Sequence, residues 1–184
     1  MATDQKAGGS SPPGRAIVVF MCRETEFMKE ALALAGMAKA QGEVPVGAVV
    51  VFENRVIGKG YNKRESTNLP TSHAEVEAIV EASECLGSWR LEDCELYVTL
   101  EPCIMCSGVI IQSRIKRLIF GARDPKAGAV RSLYSLLEDS RLNHQVEIVE
   151  GILADESSAL LSGFFREIRE KQRKLKEMSA CSDS

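Results

Sequence analysis

His73, Glu75, Cys103 and Cys106 are the residues of this chain whose types and spacing could do chemistry together. A histidine nitrogen and two cysteine thiolates are ligands that zinc prefers, and Cys103-Ile104-Met105-Cys106 has the C-x-x-C spacing that lets two sulfurs grip one ion. Three protein ligands leave a fourth position open for water and lower its pKa to around 7, so the count points to catalysis and away from a structural site. Glu75, two residues past the histidine, is placed to move the proton of such a water as general acid and base. Taken alone, the C-x-x-C pair would equally suit a redox couple or half of a structural zinc site, and a lone histidine is ordinarily just packed or exposed. The combination favours the catalytic reading.

These residues need elements to carry them. Phe27, Ala31, Leu34, Ala35 and Ala38 recur at helical spacing, predicting a helix over Glu24 to Gln41 that stops at Gly42. Val46 to Phe52 and Val56 to Tyr61 read as a hairpin turning at Glu53-Asn54-Arg55, with Asn62 ending the second strand. Lys63 to Thr71 reads as a loop. Ser72-x-x-Glu75 has capping-box spacing and puts His73 in the first turn of the next helix, which runs to about Leu86. A capping Glu75 could not also carry protons; the catalytic role is preferred. A strand over Glu95 to Thr99 follows, then a helix with Pro102 in its first position, whose positive end favours the thiolate forms of Cys103 and Cys106. Beyond lie a strand over Arg117 to Gly121, a short helix over Arg131 to Leu137, a strand over Val146 to Val149 and a closing helix from Glu156 to about Met178. Strands alternating with helices predict a layered α/β/α domain.

The 184 residues suit one domain, and a formal charge of -3 excludes a globally basic nucleic-acid binder, so any such contact needs a local patch. Residues 1–22 read as a disordered extension, rich in Gly, Ser, Pro and Ala over its first fifteen positions, residues 23–178 as the domain and 179–184 as a disordered tail. Met21 is a plausible natural start. Ala16 to Met21 is too short for a signal core, and no apolar run approaches the roughly 20 residues that span a bilayer. A cytoplasmic protein is expected. Cys22, Cys85, Cys94 and Cys181 lack a disulfide rhythm, so no bridge is expected. His144 reads as turn chemistry, and Glu101 as support for the zinc region or a strand-end hydrogen bond.

The spacing H-x-E followed by P-C-x-x-C is the signature of zinc base deaminases. With it stand the strings Glu43-Val44-Pro45-Val46-Gly47-Ala48-Val49, Asn54-Arg55-Val56-Ile57-Gly58, Leu96-Tyr97-Val98-Thr99-Leu100-Glu101-Pro102-Cys103, Phe120-Gly121-Ala122-Arg123-Asp124 and Glu150-Gly151-Ile152-Leu153-Ala154-Asp155-Glu156. Across roughly Phe27 to Lys171 the chain resembles the TadA family of bacterial tRNA-specific adenosine deaminases. The resemblance implies a cytidine-deaminase-like fold, a three-layer α/β/α sandwich around a five-stranded mixed sheet. It also implies a homodimer, binding one zinc ion per subunit, that converts the wobble adenosine of a tRNA anticodon stem-loop to inosine. Carried over by position, His73, Cys103 and Cys106 match the zinc ligands and Glu75 the proton shuttle. Asn62, Thr71 and Ala74 match the nucleotide pocket, and Phe164 and Phe165 the RNA-contacting start of the last helix. Gly163 and Tyr61 depart from the family pattern, which bears on RNA contact and leaves the chemistry untouched. The run from Arg166 to Lys176 carries six cations against two glutamates, an RNA surface or a solvated helix face. Two rivals remain: a deaminase of free bases or nucleosides, and a catalytically silent RNA-binding or dimerising partner. Retention of Glu75 argues against silence.

Overall fold

The structure, a computed structural model, describes residues 13–182. In the hairpin, β1 (Gly47–Phe52) and β2 (Arg55–Tyr61) are joined by Glu53 and Asn54, whose φ angles are 48° and 61°. Two successive positive φ values are what a two-residue hairpin turn needs to match the twist of its strands. β1 also pairs antiparallel with β3 (Glu95–Leu100), which pairs parallel with β4 (Arg117–Ala122), which pairs parallel with β5 (Glu147–Glu150). The result is a five-stranded mixed sheet in the order β2-β1-β3-β4-β5, as expected.

Alternation along the strands sorts the core into two layers. Ala48, Val50, Leu96, Val98, Leu118 and Phe120 pack toward α3 (Ala74–Leu86) and α4 (Ile104–Gln112). Val49, Val51, Tyr97 and Ile119 point the other way, onto Met28 and Ala31 of α1 (Pro13–Ala40) and beside Ile152 and Leu153 at the entry to α5 (Ala154–Ser182). Burial on both faces explains why the central strands read as unbroken apolar runs. Gly60 lets α3 lie directly on β2, because a Cβ there would stand 2.0 Å from the carbonyl oxygen of Ala74.

Several elements differ from the sequence reading. α1 begins at Pro13, within the stretch read as an extension, and α5 runs to Ser182, into the stretch read as a tail; residues 1–12 and 183–184 lie outside the described residues. The loop after Asn62 holds a one-turn helix, α2 (Arg64–Thr67). The helix expected over Arg131 to Leu137 shrinks to a 3-10 turn at Leu136–Glu138. Cys85, Cys94, Cys103 and Cys106 are free thiols, while Cys22 and Cys181 fall among residues whose side chains are not described. His144, just before β5, makes a long-range contact instead of a local turn, its Nε2 lying 2.7 Å from the Ile115 carbonyl. Among the described residues, no helix is long and apolar enough to cross a membrane.

Candidate active site

One edge of the sheet carries the whole site. β1 runs antiparallel to both neighbours and β3 runs parallel to β4, so the start of β1 and the ends of β2, β3 and β4 meet at that edge. Val46 leads into β1, Asn62 leaves β2, Glu101 to Cys103 leave β3, and Asp124 follows β4. Ligands of open α/β sheets bind outside the carboxyl ends of strands for this reason.

Two helices then start at the edge. His73 is the N-cap residue of α3, in extended backbone (φ −87°, ψ 151°), so α3 begins one residue later than a Ser72 cap would give, and no side chain caps it. The capping box therefore does not form, which frees Glu75. Cys103 is likewise the N-cap of α4, so Pro102 precedes the cap instead of opening the helix. His73 Nδ1 lies 3.8 Å from Cys103 Sγ and 3.5 Å from Cys106 Sγ, and the three ligand atoms all lie within 4.8 Å of one another. A tetrahedral ion with Zn–N near 2.0 Å and Zn–S near 2.3 Å requires N···S separations of roughly 3.5 Å. The donor set fits a metal ion of that kind.

The electrostatics agree with the geometry. Cys103 is held as a thiolate, down to about 4, first by a hydrogen bond from Cys106 and then by His73, against the opposing effect of burial. The same bond, with burial, pushes the Cys106 thiol up. His73 is raised, chiefly by its hydrogen bond to Cys103. Glu75 is almost wholly buried, and desolvation pushes its carboxyl up, offset in part by its own backbone N–H and by His73. A carboxyl so placed can take and return a proton.

His73, Glu75 and Cys103 line a cavity of about 210 Å³, together with Asn62, Arg64, Glu101, Asp124 and Ala127. Sites for drug-sized ligands usually hold roughly 300–1,000 Å³, so this one suits a single base. Asn62 is buried, and its Nδ2 donates to Glu43 Oε2 at 3.3 Å. Burial would raise the Glu43 carboxyl, but hydrogen bonds from the backbone N–H groups of Ser66 and Glu65 hold it below the usual range. Glu43 is thus an ionised acceptor. It fixes the Asn62 amide, since a carboxylate cannot accept from Oδ1.

Thr71 and Ala74 are not among the residues lining the cavity; Thr71 is exposed, and Ala74 is buried beneath Gly60. Phe164 and Phe165 also lie outside its lining, on α5, one buried and one exposed, their rings edge to face at 5.4 Å. The sequence reading did not single out Glu43, Arg64, Asp124 or Ala127 as site residues. A signal existed for Glu43, a charge set against the apolar run that opens β1.

Residues 22–169 match the family model of MafB19-like deaminases. A tRNA-specific adenosine deaminase of Bacillus subtilis (strain 168) is 46% identical over 153 residues, covering 83% of this chain and 95% of the relative. A solved structure from studies of A-to-I editing by tRNA:A34 deaminases superposes with a TM-score of 0.72 at 43% identity, covering 74% of this chain and 99% of that one. A guanine deaminase from Bacillus subtilis superposes less fully, at a TM-score of 0.51 and 41% identity over 53% of this chain and 63% of its own. A buried carboxyl beside a His/Cys/Cys ligand set is what deaminases of this kind need, and the chain belongs to the TadA family of tRNA-specific adenosine deaminases.

Proposed function

We propose that this chain deaminates adenosine to inosine at the wobble position of a tRNA anticodon loop, with residues 23–178 as the deaminase domain. The observation that carries the reading is Glu75, buried at a base-sized cavity beside His73, Cys103 and Cys106. Zinc held by those three side chains would activate a water at near-neutral pH and keep a position open for it. Glu75 accepts the proton of the water that adds to adenine C6, delivers it to N1 and assists the departure of ammonia. Asn62, its amide fixed by Glu43, hydrogen-bonds the target nucleotide. Thr71, exposed two residues before His73, acts at the rim, whereas Ala74, fully buried against Gly60, supports the start of α3 without touching the nucleotide.

The cavity takes one base, so the target nucleotide must be splayed out. That costs less in a single-stranded loop than in a duplex. Phe165 and the cations of α5 supply an RNA surface outside the cavity. A homodimer is favoured by an apolar groove between α3 and α4 lined by Ile79, Met105, Val109 and an exposed Trp89. The work is cytoplasmic, where tRNA matures and thiols stay reduced.

The deciding assay compares an anticodon stem-loop carrying the wobble adenosine with free adenosine, adenine, cytosine and guanine. Inosine and ammonia are expected from the stem-loop alone. Faster turnover of free guanine would replace this reading with that of a base deaminase.

A further inference from the structure

Glu101 is a buried carboxylate held by hydrogen bonds from a single loop. Its Oε1 accepts from the backbone N–H groups of Val130 at 3.1 Å, Arg131 at 2.6 Å and Ser132 at 2.9 Å. Its Oε2 accepts from the Asp124 N–H at 2.9 Å and from the Ser132 hydroxyl. Three successive amides turned onto one oxygen form an anion-binding nest, here filled by a side chain of the same protein. The fit is close, since a Cβ on Gly128 would stand 2.3 Å from the Glu101 carboxyl carbon.

The same loop is joined to the segment bearing Cys103. The Ala129 N–H donates to the Pro102 carbonyl at 2.8 Å, and Cys103 and Gly128 form a β-bridge. Asp124 and Ala127 of that loop form a wall of the cavity, and Cys103 lies at the same cavity. The carboxylate therefore stands at the joint between the wall that faces a bound nucleotide and the segment that bears a metal ligand.

We propose that Glu101 is a positioning residue, a clamp that sets the Asp124–Ser132 wall against the Cys103 segment and so fixes where the target nucleotide sits relative to the reacting centre. The inference rests on the deaminase reading for its effect on turnover, though not for the clamp itself. Glu101 acts through the loop it holds, with both carboxylate oxygens already engaged there.

The test is Glu101→Gln, which keeps the shape and replaces an accepting oxygen by a donor. In hydrogen exchange, amides in the peptide covering residues 130–132 should exchange roughly ten- to a hundred-fold faster in the variant, the loss of a hydrogen bond to a charged acceptor. Zinc content and the exchange of α3 should stay at the wild-type level. Turnover of the anticodon stem-loop should fall about a hundred-fold in kcat/KM, more through kcat than through KM, as expected when a reacting group is misplaced by about an ångström. Gly128→Ala, which leaves Glu101 intact but drives the loop off its carboxyl, should give the same pattern, and it serves if the glutamine variant does not fold. Unchanged exchange at 130–132 would overturn the clamp. Faster exchange with unchanged kcat/KM would overturn its positioning role, and so would a loss explained wholly by missing zinc. Absence of stem-loop deamination by the wild-type protein would count against the deaminase reading and leave the exchange result to judge the clamp.

Discussion

At Glu75, burial and position act together. The side chain sits one residue into α3 from the first helical position, and the free N-terminus of the helix and His73 oppose the desolvation that raises it. Replacing Glu75 with Gln should leave zinc and RNA binding nearly intact and lower turnover by about 10²–10⁴, the usual worth of general acid/base help, or more because one group serves several steps. Near-normal turnover in that variant would refute the assignment. Cys103→Ala and Cys106→Ala should lose metal, activity and stability together, since two helix starts lean on one ion. Cys85→Ala and Cys94→Ala should keep zinc: Cys85 is exposed, and Cys94 is a buried thiol pushed up to about 11 by desolvation. Stoichiometric zinc in either ligand variant, by metal analysis, would remove that residue from the site. That His73, Cys103 and Cys106 gather together, with Glu75 at the same cavity, was legible in sequence, because residue type and short spacing carry it. Glu43 and Glu101 were harder to read, because a carboxylate that organises a loop has partners on backbone amides up to about thirty residues away, and those leave no local pattern.

The elements were legible where local chemistry decides and misread where tertiary contacts do. The hairpin turn, the Gly87 stop of α3 and the apolar strands follow from local propensity and pattern. The Ser72-x-x-Glu75 spacing misled, because the Ser72 carbonyl accepts from the Lys63 N–H, and the first helical bond goes instead from the Glu77 N–H to the His73 carbonyl, which makes His73 the cap. The helix expected at Arg131 does not form because the Leu133 and Leu136 amides donate to the Gly128 and Ala129 carbonyls, farther back than the fourth residue that an α-helix requires. Close packing of α3 on β2 gives a test at this scale. Gly60→Ala should destabilise the fold by at least about 1–3 kcal/mol and weaken zinc retention, because overpacking there shifts the helix that bears His73 and Glu75. An unchanged melting temperature would show that α3 yields freely. Glu43 adds a pH dependence. Its folded carboxyl lies below the unfolded value near 4.3, so its contribution is fully present above that value and is lost as pH falls through the lower, folded one. The gap in melting temperature between wild type and Glu43→Gln should accordingly be widest near neutral pH and narrow on acidification below about pH 4. A gap that persists there would assign the effect to packing.

Across the whole molecule, charge is divided unevenly. The net value is -3, yet α5 beyond Phe165 presents Arg166, Arg169, Lys171, Arg173, Lys174 and Lys176, all exposed. Its start is anchored by the buried Phe164 and by an ion pair of 2.8 Å from Lys39 to Glu167, while residues 169–179 are exposed throughout. A helix so weakly buried gains little from packing, and its cations, with Arg173 paired to Glu177 at 3.7 Å, face solvent where phosphates can reach them. Lys171→Glu with Lys174→Glu alters that field without removing apolar burial, which makes it a cleaner test than truncation after Phe165. If these lysines touch RNA, affinity for the stem-loop should fall, and the slope of log K against log salt should flatten by roughly 0.7–0.9 for each phosphate no longer neutralised. Zinc content and the melting temperature should hold. Affinity and slope both unchanged would make the run a solvated helix face, and binding would then rest on cations nearer the cavity, Arg64 at its lining and Lys126 on the clamped loop.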